Sequence, residues 1–154
     1  MAACVIIGSD HGGFELKERV KTFLHANGYT VIDKGTYSRE ACDYPDCVFP
    51  VVECISRGEC NQGIVICTSG IGVSICANKV RGIRAALCTS VEQAELSRMH
   101  NDANVLALSA RFTPPDVAVM ICERWLETAF EGGRHARRVQ KISEYEQRER
   151  MRKP

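Results

Sequence analysis

The sequence predicts an α/β protein: a three-layer α/β/α sandwich on a five-stranded parallel sheet. Three observations predict it. Five short apolar runs recur along the chain, segments of helical period separate them, and the runs are apolar without alternation, as strands are when helices cover both faces.

The first run is "CVIIGSD" (4–10), and Leu16, Val20, Phe23 and Leu24 after it form one helical stripe. "YTVID" (29–33) is the second run. Pro45 opens the next helix, in which Pro50 has no account beyond first-turn tolerance. "GIVICT" (63–68) runs into a glycine-rich turn, and "IRAALCT" (83–89) is the fourth run. His100-Asn101-Asp102 follow shortly before the fifth, "NVLALS" (104–109). Pro114-Pro115 opens a long helix ending near Phe130, with Val117, Met120, Ile121 and Trp125 as its stripe. Glu131-Gly132-Gly133 then breaks the chain. From about 134 a highly charged helix carries only a thin stripe of Val139, Ile142 and Tyr145, and is expected to lie on the body or on a partner subunit. Without repeats or a low-complexity linker, residues 1–154 read as one domain.

Composition narrows the function classes. Hydrophobic residues at 45% and charged residues at 25% exclude a disordered chain. Twenty Lys and Arg balance nineteen Asp and Glu, leaving +1, so no global field draws the chain to nucleic acid or an anionic membrane. Nine cysteines without framework spacing, several inside apolar runs, imply a reducing compartment. With no basic leader before a long apolar stretch and no span of about 18 apolar residues, a cytoplasmic location is expected.

Ligands of open parallel α/β sheets bind beyond the carboxyl ends of the strands. That rule selects Asp10 and His11 after the first strand, Cys67-Thr68-Ser69-Gly70-Ile71-Gly72 after the third, and His100-Asn101 before the fifth, all expected on one rim. Gly70 and Gly72 permit a tight turn whose N–H groups, with the next helix's dipole, would hold an anion or an oxyanion. Cys67 remains open between packing and chemistry, and Asp10 between capping a helix and touching a ligand. Arg134 and Arg138 share a helical face suited to a phosphate; Arg111 is a further candidate, and a solvated face is the plain alternative. There is no phosphate loop, no third glycine of a dinucleotide fingerprint, no paired zinc spacing and no nucleophile elbow, so neither metal nor organic cofactor is expected.

In register along almost the whole chain stand "GSDHGGFELK", "VIDKGTYS", "DYPD", "GIVICTSGIGVSICANKVRGIRAALC", "ELSRMHNDANVLALSAR" and "EGGRHARRV". Together they resemble the type B ribose-5-phosphate isomerases, whose group includes galactose- and allose-6-phosphate isomerases. The resemblance implies a Rossmann-like α/β/α sandwich and a metal-free aldose–ketose isomerase acting on ribose 5-phosphate, as a homodimer or tetramer with its site between subunits. It implies Cys67 as the base, His100 as the ring opener, and Asp10 and Asn101 on sugar hydroxyls. It further implies an anion hole from Thr68 through Ser69, Gly70, Ile71 and Gly72 toward Ser74, and His11, Arg111, Arg134 and Arg138 on the phosphate. Two alternatives stay open: a hexose-6-phosphate isomerase, and a silent phosphosugar-binding module that regulates a partner.

Overall fold

The computed structural model describes residues 3–151, with the side chain of residue 150 left out. Five strands, β1 (Cys4–Ser9), β2 (Thr30–Asp33), β3 (Gln62–Cys67), β4 (Ala85–Leu87) and β5 (Val105–Ser109), form one parallel sheet in the order β2-β1-β3-β5-β4. Among the described residues six α-helices accompany it: α1 (Phe14–Ala26), α2 (Tyr44–Ser56), α3 (Ile71–Ala77), α4 (Val91–Asn101), α5 (Pro115–Glu127) and α6 (Arg134–Met151).

Strand periodicity divides the core. Val5, Ile7, Ile64, Ile66, Leu106 and Leu108 face α1, α4 and α5, where Leu16, Val20, Leu24, Ile121 and Trp125 close over them. Their strand neighbours Ile6, Val65, Cys67, Val105 and Ala107 point the opposite way, against Val48, Val51, Val52 and Val73 of α2 and α3. Each fully buried aliphatic side chain contributes roughly 1.5–3 kcal/mol, so the continuous apolar runs follow from burial on both faces. β4 is a half-buried three-residue edge strand, and the predicted run beyond it continues as loop.

The helix borders have local causes. Pro45 occupies the first turn of α2, where its missing N–H costs nothing, whereas Pro50 lies inside the helix, past the first turn. α2 approaches β1 so closely that a Cβ on Gly8 would lie 2.8 Å from the Cys47 carbonyl oxygen. Ser90 caps α4 by accepting from Gln93 N–H at 3.1 Å, while Gln93 Oε1 reaches back to Thr89 N–H at 2.8 Å. α5 stops at Glu127, three residues before the expected end. α6 stands outside the sandwich, in contact with α4, and Glu146 accepts from Gly82 N–H at 3.2 Å. Its Ile142 and Tyr145 are half exposed. Among the described residues no helix is long and apolar enough to cross a membrane.

Candidate active site

The chain leaves β1 for β2 on one side and β3 for the β5–β4 half on the other, so the gap between the carboxyl ends of β1 and β3 is the sheet's switch point. Asp10, His11, Thr68 and Cys67 meet there. Asp10 N–H donates to Ile66 O, and the buried Asp10 carboxylate accepts from Gly13 N–H at 3.0 Å, capping the 3₁₀ turn His11–Gly13. Capping is therefore a real role for Asp10. Gly12 lies so near Thr68 that a Cβ would collide with the threonine Oγ1.

Cys67 is 4% exposed, and Gly70 N–H donates to its Sγ at 3.2 Å. A negative sulfur would thus find a donor already in place. Gly70 takes φ 74°, the left-handed region open to glycine, and turns the chain into α3. The loop satisfies part of itself: Ser69 Oγ accepts from Ile71 N–H at 3.2 Å, and Ser74 Oγ donates to Ile71 O at 2.8 Å. A Cβ on Gly72 would meet the Tyr44 ring, so the first turn of α2 walls this rim. The end of β5 anchors the loop, with Ser109 Oγ donating to Thr68 O at 2.8 Å and Arg111 N–H to the same oxygen at 3.0 Å. Arg111 itself is exposed, its guanidinium over the Phe112 ring. His11 Nδ1 lies 3.2 Å from Cys42 N and 3.2 Å from Cys42 O.

The other predicted residues do not join this rim. α4 runs against the strands and ends at Asn101, and three residues later Asn104 O accepts from Gly63 N–H, at the start of β3. Four residue steps along β3 take the chain from Gly63 to Cys67, about 13 Å at roughly 3.3 Å per residue, so His100 and Asn101 lie at the opposite edge of their own sheet. This corrects the single-rim expectation. The cause is the direction of the path: a helix that returns the chain to the start of a parallel strand delivers its C-terminus to the amino edge.

That edge has its own order. Asp102 caps α4 at φ 45°, held by Arg98 Nη1 at 2.8 Å and Arg84 Nη2 at 3.1 Å. The His100 ring stacks on His135 of α6, with centroids 4.2 Å apart and planes 9° from parallel. Glu131 Oε2 lies 3.8 Å from His100 Nε2 and 3.5 Å from His135 Nε2. Burial, then His100 and Arg134, push His135 below the ordinary imidazole value. These three side chains could bring ligand atoms to one metal ion. Their fit is poor, because parallel rings keep their nitrogen lone pairs side by side and Arg134 Nε already points at His135 Nε2 from 3.4 Å. Arg134 and Arg138 are exposed on α6 at the same edge.

Residues 5–142 match the family model described as Ribose/Galactose Isomerase. The chain belongs to that family. It is 46% identical over 144 residues to ribose-5-phosphate isomerase B of Escherichia coli (strain K12), covering 94% of this chain and 97% of that one. Among solved structures it is similar to Clostridium thermocellum ribose-5-phosphate isomerase B, with a TM-score of 0.93 and 53% identity over 94% of this chain and 98% of the other. Ribose-5-phosphate isomerase B from Mycoplasma genitalium, solved with bound ribulose-5-phosphate, superposes with a TM-score of 0.91 at 41% identity, covering 96% and 98% of the two chains. Within this family member, sequence reasoning passed over Glu131, Tyr44 and Cys42 as neighbours of the site. Only the helix-opening "DYPD" signalled Tyr44; the four-residue spacing of Glu131 and His135 was a local signal, but nothing local signalled that His100 joins them.

Proposed function

We propose that this chain interconverts D-ribose 5-phosphate and D-ribulose 5-phosphate as a metal-independent aldose–ketose isomerase. The observation that carries the reading is Cys67 at the switch point, buried, with the Gly70 N–H on its sulfur. In the open-chain aldose, the Cys67 thiolate takes the C2 proton and the electron pair moves through C1–C2 onto O1 to leave an enediolate; a proton passes from O2 to O1, the thiol returns its proton to C1, and C2 is left as the carbonyl. Thr68, Ser69, Gly70, Ile71, Gly72 and Ser74 surround the developing oxyanion. His100 opens the furanose ring by proton transfer, since only the open chain can react. Asp10 and Asn101 orient sugar hydroxyls; His11, Arg111, Arg134 and Arg138 hold the phosphate as a remote handle.

Because Cys67 and His100 occupy opposite edges of one sheet, the working site takes the Cys67 rim from one copy and the His100 edge from another. α6, with its half-exposed Ile142 and Tyr145, offers surface for the second copy. Nine free thiols suit a reducing cytoplasm.

The test is ribulose 5-phosphate formation from ribose 5-phosphate in EDTA, with Cys67→Ala and with allose 6-phosphate as a second substrate. Activity in EDTA that falls roughly 10³-fold in a folded Cys67→Ala supports the reading. Loss of activity on chelation, or a variant that keeps most activity, refutes the metal-free or the cysteine step respectively. Preference for the hexose would make this a hexose-6-phosphate isomerase; no turnover of either sugar would leave a silent binding module.

A further inference from the structure

Eight of the nine cysteines have no part in the proposed chemistry, and two of them touch. Cys4 opens β1 and Cys60 sits on the approach to β3; their sulfurs are 2.7 Å apart, well inside the van der Waals contact of two sulfur atoms. Cys60 Sγ also lies 2.9 Å from Cys4 O. β1 and β3 are hydrogen-bonded parallel neighbours, with Val5 opposite Gln62. Neighbouring strands about 4.8 Å apart and one residue of offset leave the two Cα atoms roughly 6 Å apart, within the span of a disulfide. Cys4 is only partly buried and Cys60 is 4% exposed, so an oxidant reaches the first and the second stands behind it.

We infer that Cys4 and Cys60 are a peroxide-oxidisable dithiol that closes to a disulfide, stapling the start of β1 to the chain entering β3. A peroxide takes the Cys4 thiol to sulfenic acid and leaves as water. The Cys60 sulfur then attacks the sulfenic sulfur, the S–S bond forms, and the sulfenic oxygen leaves as a second water with the Cys60 proton. Two thiols are oxidised by two electrons and one peroxide is reduced. Burial and the neighbouring Cys60 raise the Cys4 thiol to about 11, which keeps the thiolate scarce near neutrality and makes the reaction slow. The site is independent of Cys67, which lies at the far end of β3, six residue steps or about 20 Å beyond the level of Cys4. A second close pair, Cys42 and Cys47, has its sulfurs at 4.0 Å and a Cys47 thiol that burial and Cys42 push up to about 12, so it is the internal comparison.

The disulfide would close the chain from residue 4 to residue 60 into a loop and restrict the unfolded state. The expected rise in Tm is roughly 5–15 °C. The experiment treats the full chain with a small excess of hydrogen peroxide, blocks remaining thiols by alkylation, and maps linked peptides by mass spectrometry. A Cys4–Cys60 peptide, loss of two of the nine titratable thiols, and a dithiothreitol-reversible Tm rise missing from Cys4→Ser and from Cys60→Ser are the expected results. The inference is overturned if both cysteines are recovered alkylated, if Cys4 is recovered as sulfinic acid without a link, or if Cys42–Cys47 forms instead. The peptide map on the native sequence decides the matter even where a serine variant folds poorly.

Discussion

At the scale of single residues, the rim tolerates little added volume. Gly12→Ala should push Thr68 away from Asp10 and lower kcat/KM roughly tenfold or more while leaving Tm nearly unchanged, since small misplacements near reacting atoms are costly. Steady-state kinetics beside a thermal melt checks this, and an unchanged kcat/KM would remove Thr68 from the site. His135 behaves differently. Its neutral form is favoured in the fold, so the unfolded chain binds more protons below about pH 6.5. Stability from this group is complete above that value and declines as pH falls; His135→Phe should flatten that part of the stability–pH curve. Cys67, Asp10 and His11 were legible from sequence because strand ends and glycine turns mark themselves locally. Glu131 was not: its position opposite two histidines follows from how α6 meets α4.

Elements hold the site through a few polar struts. Lys17 Nζ is fully buried in α1 and contacts both Asp33 oxygens at 2.7 Å, while Lys21 Nζ reaches Oδ2 at 2.6 Å and Gly35 N–H reaches Oδ1 at 2.9 Å. Burial alone would raise the Asp33 carboxyl, but the two lysines and the Gly35 N–H outweigh it and hold it below the usual value. Its stabilisation is therefore present above about pH 4 and lost as pH falls further. Asp33→Asn should cost about 3 kcal/mol in denaturant unfolding, because it leaves the buried Lys17 ammonium with Glu18 Oε1, at 3.5 Å, as its carboxylate partner in place of two close Asp33 oxygens. A loss under about 0.5 kcal/mol would show Lys17 finding another partner or water. All five strands were readable from apolar runs, α1 and α5 from their stripes and the start of α2 from Pro45, whereas α3 and α4 were not marked by a stripe. β4 shrank to three residues because an edge strand has a partner on one side only, and α5 ended early where Thr128 turns extended.

For the whole molecule, the separation of Cys67 from His100 makes a sharp prediction. Cys67→Ala and His100→Asn should each be nearly inactive alone. Mixed and reassembled, they should recover about a quarter of native activity, because a two-fold dimer of one copy of each holds one intact and one doubly altered site. Mixtures that stay inactive after verified subunit exchange would place both residues in one chain's site. The sheet class, the helix layers, the family resemblance and the residue types able to carry an isomerisation are legible in the order of residues, because burial periodicity and turn chemistry are local in the chain. Which of those residues share an edge depends on the fold, because a parallel crossover carries each helix back to the strands' starting side. Packing put His100 against His135, Cys67 beside Asp10, and Cys4 against Cys60, proximities set by how elements meet and not by distance along the chain.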